Sequence, residues 1–170
     1  MKYWFLFLFI FILFVLIQGL SKDPTIIPSN LLSQKAPNFQ LKKVHEYPLL
    51  ENTDLKNTNG KPIILNFFAS WCPPCKLEHP FLMELSYKYK IFGIAKKDNQ
   101  EAIDMWFKKS GNPFQKIGLD SDGLVSIDWG VYGLPETFLL DAKGVIKYKH
   151  VGPITKNEKN NILKILKRIE

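Results

Sequence analysis

Hydrophobic positions fall along this chain in two regimes. The first is one unbroken run, Tyr3 to Ile17, fifteen apolar residues in succession, with only Gln18 and Gly19 before Leu20. Roughly 18 helical residues at ~1.5 Å each reach ~27 Å, close to the hydrocarbon thickness of a bilayer. A helix buried in a protein core would show a polar face, and this run has none. A cleaved signal peptide would have a shorter apolar stretch and a small-residue exit. Here the exit reads Ile17-Gln18-Gly19-Leu20-Ser21, and no cysteine is present for lipid attachment. Residues 1–20 therefore read as an uncleaved signal-anchor transmembrane helix. Lys2 and the amino terminus, against Lys22 beside Asp23, slightly favour a cytoplasmic N-terminus and an exported remainder. Residues 21–37 carry Pro24, Pro28 and Pro37 among polar residues and read as a tether.

The second regime, residues 38–170, alternates short apolar runs with amphipathic ones. Ile63 to Ala69 is nearly all apolar, the signature of a central strand covered on both faces. Pro73 to Lys90 has Leu77, Phe81, Leu82, Leu85 and Tyr89 at helical spacing, and Ile91 to Ala95 reads as the next strand. Asn99 to Lys109 reads as a helix with Ala102, Ile103, Trp106 and Phe107 on one side, followed by a short strand over Lys116 to Asp120. Thr137 to Leu140 and Val145 to His150 form a hairpin across Asp141-Ala142-Lys143-Gly144, with glycine where a positive φ is needed. Asn157 to Ile169 closes the chain as an amphipathic helix. The pattern predicts an α/β domain, a mixed central sheet flanked by helices.

Composition narrows the function classes. The 170 residues are 46% hydrophobic and 23% charged, which is globular rather than disordered. The net charge of +7 raises nucleic acid as a partner, but Arg168 is the single arginine among 23 basic residues and acids are interleaved with the lysines. Readers of nucleic acid present clustered arginine, so this charge reads as a solvated surface and no nucleic-acid partner is expected.

The chemistry concentrates in Trp71-Cys72-Pro73-Pro74-Cys75, where the central strand ends and the first long helix begins. Two cysteines one helical turn apart close a disulfide, and helix-start amides stabilise a thiolate on the first of them. Such sites lower a cysteine pKa into the range ~3.5–7.5. Cys72 reads as the exposed attacker, and Cys75 as the group that resolves the mixed disulfide. Pro73 and Pro74 suit the first helical turn, yet they remove amide donors from the Cys72 sulfur. A less stabilised thiolate gives up electrons more readily, so the pair reads as a reductant. Glu78, one turn past Cys75, and Glu136, after Pro135, read as acids that oppose thiolate formation. For Glu78 the alternative is a solvated surface acid. Asn66 stands in the strand where a proton acceptor for Cys75 would be expected, and its neutrality passes that duty to the glutamates. A structural disulfide across so short a loop would remove little chain entropy. Zinc would need ligands that His45, His79 and His150 are not spaced to supply, and Lys76 after the second cysteine excludes a haem-attachment motif. No cofactor beyond the Cys72–Cys75 redox pair is expected.

Trp71-Cys72-Pro73-Pro74-Cys75-Lys76, with Pro80 five residues further and Pro135 opening a late strand, resembles thioredoxin-like proteins. Gly60-Lys61-Pro62, Cys75-Lys76-Leu77-Glu78-His79, Gly111-Asn112-Pro113-Phe114, Asp120-Ser121-Asp122-Gly123 and Gly130-Val131-Tyr132-Gly133-Leu134-Pro135-Glu136-Thr137-Phe138 resemble the membrane-anchored cytochrome c biogenesis thiol:disulfide interchange proteins of the DsbE/CcmG type. The resemblance runs from about Ala36 to Glu170. It implies a thioredoxin-like fold, a helix kinked at Pro80, and a cis Pro135 facing the cysteines, where backbone would pair with a substrate strand. Trp71, Pro73, Pro74, Glu78 and Glu136 become the surroundings of the pair. It also implies electron delivery in the periplasm from the bacterial inner membrane. The partners so implied are a membrane thiol transporter of the DsbD or CcdA kind as donor, and apocytochrome c or a maturation thioredoxin as acceptor. Pro74 departs from members with threonine there. The alternatives are a broader exported reductase of the ResA or TlpA kind and, last, a tethered non-catalytic binding module.

Overall fold

A computed structural model describes residues 3–20, 30–56 and 60–170. The apolar run forms helix α1 (Trp4–Leu20), 17 residues of which none is buried. Among the described residues no helix is long and apolar enough to cross a membrane. Residues 21–29 of the expected tether lie outside the described residues. The rest of the tether joins the domain: Ser33 N–H donates to the Ile146 carbonyl at 2.8 Å, Ile146 N–H to the Gln34 carbonyl at 2.9 Å, and Ala36 N–H to the Gly144 carbonyl at 2.9 Å. Residues 33–36 are thus an extra segment laid along the hairpin.

Among the described residues a 3-10 turn (Asn52–Leu55), five strands and four further α-helices follow: β1 (Ile63–Phe68), α2 (Pro73–Ser86), β2 (Lys90–Lys96), α3 (Gln100–Ser110), β3 (Lys116–Asp120), α4 (Leu124–Asp128), β4 (Glu136–Leu140), β5 (Ile146–Val151) and α5 (Lys156–Ile169). The sheet order is β3-β2-β1-β4-β5. β1, β2 and β3 run parallel, while β4 is antiparallel to β1 and β5 to β4. This is the mixed sheet flanked by helices that the pattern predicts, with β1 buried along its whole length.

The alternation of β1 separates two cores. Ile64 and Phe68 face α2, α3 and α5, where Leu82, Leu85, Ile103, Phe107, Ile162 and Leu166 are buried. Ile63, Leu65 and Phe67 face the opposite side, filled by Trp129, Phe138 and Val125. From β1 the chain steps outward to β2 and then β3, and right-handed crossovers put α2 and α3 on one face of the sheet. That places the two helices side by side next to the end of β1, where the cysteines are.

Two boundaries depart from the spacing. The helix after the cysteines ends at Ser86 rather than Lys90, because Lys90 is already opposite Ile63 in the sheet. Helix α4 was not visible as an apolar pattern. Its start is capped from outside by the buried Asp120 carboxylate, which accepts from Val125 N–H at 3.2 Å and from Ser126 N–H at 2.8 Å. At the hairpin Gly144 has φ +76°, and a Cβ there would meet the Leu55 carbonyl oxygen at 2.8 Å.

Candidate active site

Cys72 is the N-cap of α2 and Cys75 is buried in its first turn; the two form a disulfide with Cα atoms 5.3 Å apart. An N-cap side chain ordinarily receives the amides of the second and third helical positions. Those positions are Pro74 and Cys75, and proline has no N–H. The Cys72 sulfur accordingly receives one helix-start amide, Cys75 N–H at 3.3 Å. Replacing Pro74 by Ala adds a second donor. Since one hydrogen bond to a charged group contributes ~1.5 kcal/mol and a two-electron couple moves 30 mV per ~1.4 kcal/mol, Pro74→Ala should raise the potential by about 30 mV. Equilibration with glutathione measures this, and an unchanged potential would separate the prolines from the redox poise.

The structure corrects the expectation that Cys72 is open to solvent. It is 3% exposed and Cys75 1%, whereas Trp71 is 58% exposed. The turn that carries Trp71 is held by groups that the spacing did not reveal. Asp98 accepts from Ser70 N–H at 2.5 Å and Ser70 Oγ at 2.7 Å, and Trp71 Nε1 donates to the Lys97 carbonyl at 3.1 Å. These bonds fasten the start of α2 to the β2–α3 loop and seat Cys72 against the core.

Glu78 is fully buried, which removes the surface-acid alternative. It lies on α2 one turn after Cys75, a spacing that puts Cβ atoms ~5–6 Å apart. Its Oε1 accepts from Asn66 Nδ2 at 2.9 Å and its Oε2 from Ile154 N–H at 2.9 Å. Asn66 Nδ2 also donates to Thr137 Oγ1 at 3.0 Å, while its Oδ1 meets no hydrogen-bond partner. Burial pushes the Glu78 carboxyl up from 4.5 to about 7, with the two N–H donors pulling the other way. The group thus holds a proton in the native state at pH values where an unfolded glutamate has lost it. The folded domain should therefore be most stable near and below pH 4.5, as far as this group is concerned, and lose that contribution as pH rises to about 7. The span corresponds to roughly 3 kcal/mol. In Glu78→Gln, urea midpoints between pH 5 and 8 should fall less steeply than in the native protein. The unpartnered Asn66 Oδ1 can receive the new amide after a flip. An unaltered slope would place the titration elsewhere.

Glu136, also fully buried, starts β4. Its Oε1 accepts from Tyr132 N–H at 2.7 Å and Gly133 N–H at 3.1 Å. Lys149 Nζ stands 2.8 Å from Oε2 as an ion pair, without the angle of a hydrogen bond, and the lysine side chain is 4% exposed. Lys149 Nζ donates to the Gly130 carbonyl at 2.7 Å and lies 4.9 Å from the Tyr132 ring centroid. The charge of Glu136 is therefore met inside the fold, and the pair ties β5 to the loop 130–136. The Leu134–Pro135 peptide is cis. The Pro135 carbonyl accepts from Gly152 N–H at 3.0 Å, so Pro135 keeps no backbone group free for a substrate strand. Pro80 sits inside α2, where it cannot donate to the Lys76 carbonyl. Among the described residues no cluster of three or more His, Cys, Asp or Glu could hold a metal ion.

Comparison with known proteins agrees with this arrangement. The Redoxin family model matches residues 32–166. The thiol:disulfide interchange protein DsbE of Pseudomonas fluorescens biotype C is 42% identical over 148 residues, 86% of this chain and 82% of that protein. The DsbE of Escherichia coli (strain K12) is 39% identical over 133 residues, 78% of this chain and 71% of that protein. Among solved structures, a thiol:disulfide interchange protein of the thioredoxin family from Chlorobium tepidum TLS superposes with a TM-score of 0.64 at 26% identity, covering 82% of this chain and 99% of that one. The fold is thioredoxin-like, and a chain with a Cys-x-x-Cys pair at its helix start and these relatives is a thiol:disulfide oxidoreductase that belongs to the Redoxin family, among the DsbE-type interchange proteins.

Proposed function

We propose that the chain acts as a reductant of the cysteine pairs to which haem is attached in apocytochrome c, directly or through a maturation thioredoxin. The observation that carries the direction of electron flow is the single amide on the Cys72 sulfur. With little to stabilise its thiolate, the dithiol form is the higher in free energy and passes its electrons on. The substrate class rests on the DsbE-type relatives, which match over most of the chain. Haem attachment needs free thiols, so an oxidising compartment calls for such a reductant.

Cys72 thiolate attacks one sulfur of the partner disulfide, the partner S–S bond breaks, and its second sulfur leaves as a thiolate. Cys75 then attacks Cys72 Sγ, closing the Cys72–Cys75 disulfide and releasing the first partner sulfur. Two electrons have moved to the partner. Glu78, one turn from Cys75 and with a pKa of about 7, is placed to take the Cys75 proton in the second half. A substrate strand beside cis Pro135 would use the backbone of Leu134. A membrane thiol transporter of the DsbD or CcdA kind returns the electrons.

The domain then works in the periplasm, with residues 1–20 as its anchor in the inner membrane. In its favour, α1 buries none of its apolar residues, a surface that water disfavours by ~25 cal/mol per Å². The reduced protein should convert an oxidised Cys-x-x-Cys-His peptide to its dithiol, with a potential well below the ~−120 mV of strong oxidants. A potential near that value, or no reaction with the peptide, would overturn the proposal.

A further inference from the structure

A groove of about 640 Å³ runs between α2 and α3, beside the disulfide. Helix α2 contributes Lys76, Pro80 and Met83, and α3 contributes Met105, Trp106 and Lys109. Lys76, Pro80 and Met83 follow one another at i+4 and i+3 spacing, and Lys109 stands one turn from both Met105 and Trp106. Ser70, two residues before Cys72, and Lys76, which directly follows Cys75, are both in the lining, so the groove reaches the start of α2. The floor is apolar and the rim cationic. Met105 is 66% exposed, and thioethers of this kind adapt to varied partners. His79, also in the lining, meets the Trp106 ring at 4.8 Å with the planes tilted by 44°, and burial holds its pKa below the ordinary value, so the positive charge of the groove comes from the two lysines.

Among the described residues no acid forms an ion pair with that rim, at Lys76 or at Lys109. Two neighbouring acids are paired elsewhere, Asp104 with Lys108 at 2.7 Å and Glu84 with Lys159, and Asp98 is turned to the Ser70 amide and hydroxyl. No acid lines the groove.

We propose that this groove is the docking site for the stretch of an oxidised partner polypeptide that flanks its disulfide, and that it selects an apolar side chain followed by carboxylates. The inference rests on the reductase reading above and adds to it the chemistry that the partner presents. The apolar side chain fills the floor beside Met83, Met105 and Trp106. The carboxylates meet Lys76 and Lys109, and this holds the partner disulfide at the nearly covered Cys72 sulfur.

The test uses the full chain, reduced and freed of reductant, with two oxidised Cys-x-x-Cys peptides, one continued by Leu-Glu-Glu and the other by Leu-Lys-Lys. Bis(2-hydroxyethyl) disulfide serves as a small neutral control. The native protein should reduce the Glu peptide about tenfold faster than the Lys peptide, the size expected when rim charges steer encounter. Lys109→Glu, which leaves one lysine and one glutamate on the rim, should abolish that preference while leaving the control rate unchanged, and Met105→Ser should slow both peptides alike. Equal rates on the two peptides, or a Lys109→Glu loss shared by the neutral disulfide, would overturn the groove assignment alone. Failure of the native protein on the neutral disulfide would remove the reductase reading, and the docking site with it.

Discussion

Cys75→Ser, reduced and offered an oxidised partner polypeptide, should accumulate a mixed disulfide through Cys72, while Cys72→Ser should accumulate none. The asymmetry follows from the geometry. Cys72 is the N-cap, with its sulfur accepting the Cys75 amide at 3.3 Å, so its thiolate is the one that the helix start supports. Without Cys75 the second half of the exchange must come from an external thiol. Well-placed internal groups act at effective molarities of ~10⁵ M or more, so at millimolar external thiol release slows by several orders of magnitude. A non-reducing gel of the mixture measures the trapped species. Turnover should fall to background in both variants. Trapping through Cys75 in Cys72→Ser would reverse the assignment of attacker and resolver.

Lys149→Ala should destabilise the domain by about 3–5 kcal/mol, because it leaves the buried Glu136 carboxylate without its counter-charge. Glu136 is 0% exposed and keeps the Tyr132 and Gly133 amides on Oε1, so it has no route to water. Removing both charges is a different matter. In Lys149→Met with Glu136→Gln the cost of an orphaned ion disappears, and much of the loss should return. Urea unfolding of Lys149→Met, Glu136→Gln and the double variant closes that cycle. A loss below ~1 kcal/mol in Lys149→Ala would mean that the pair behaves as an exposed one.

β1 and β2 were legible because each is a short apolar run, and β3 begins and ends where the spacing put it. The start of α2 was legible from two prolines and a cap, all local signals. What stayed hidden depends on contacts far apart in sequence. Lys147 and Lys149 look alike along β5, both flanking Tyr148. Only the register, which sets Lys149 opposite Phe138 and diagonal to Glu136, makes one a buried ion and leaves the other near the surface. Asp98 carries no local sign of its grip on Ser70, 28 residues away. Glu78 has a local sign for its place on α2, but its burial comes from Ile154 and Asn66, on other elements.

The segment 33–36 has a directional consequence. It is sewn to the hairpin at the C-terminal tip of β4, next to the point where β1 begins, since Leu140 pairs with Ile63. The cysteines lie past the other tip of β1, where Phe67 pairs with Glu136. About five residues of strand, at ~3.3 Å each, separate these poles by ~16 Å. The chain therefore enters the domain at one pole of the sheet and carries its sulfurs at the other, so residues 33–36 do not cross the approach to the reactive end.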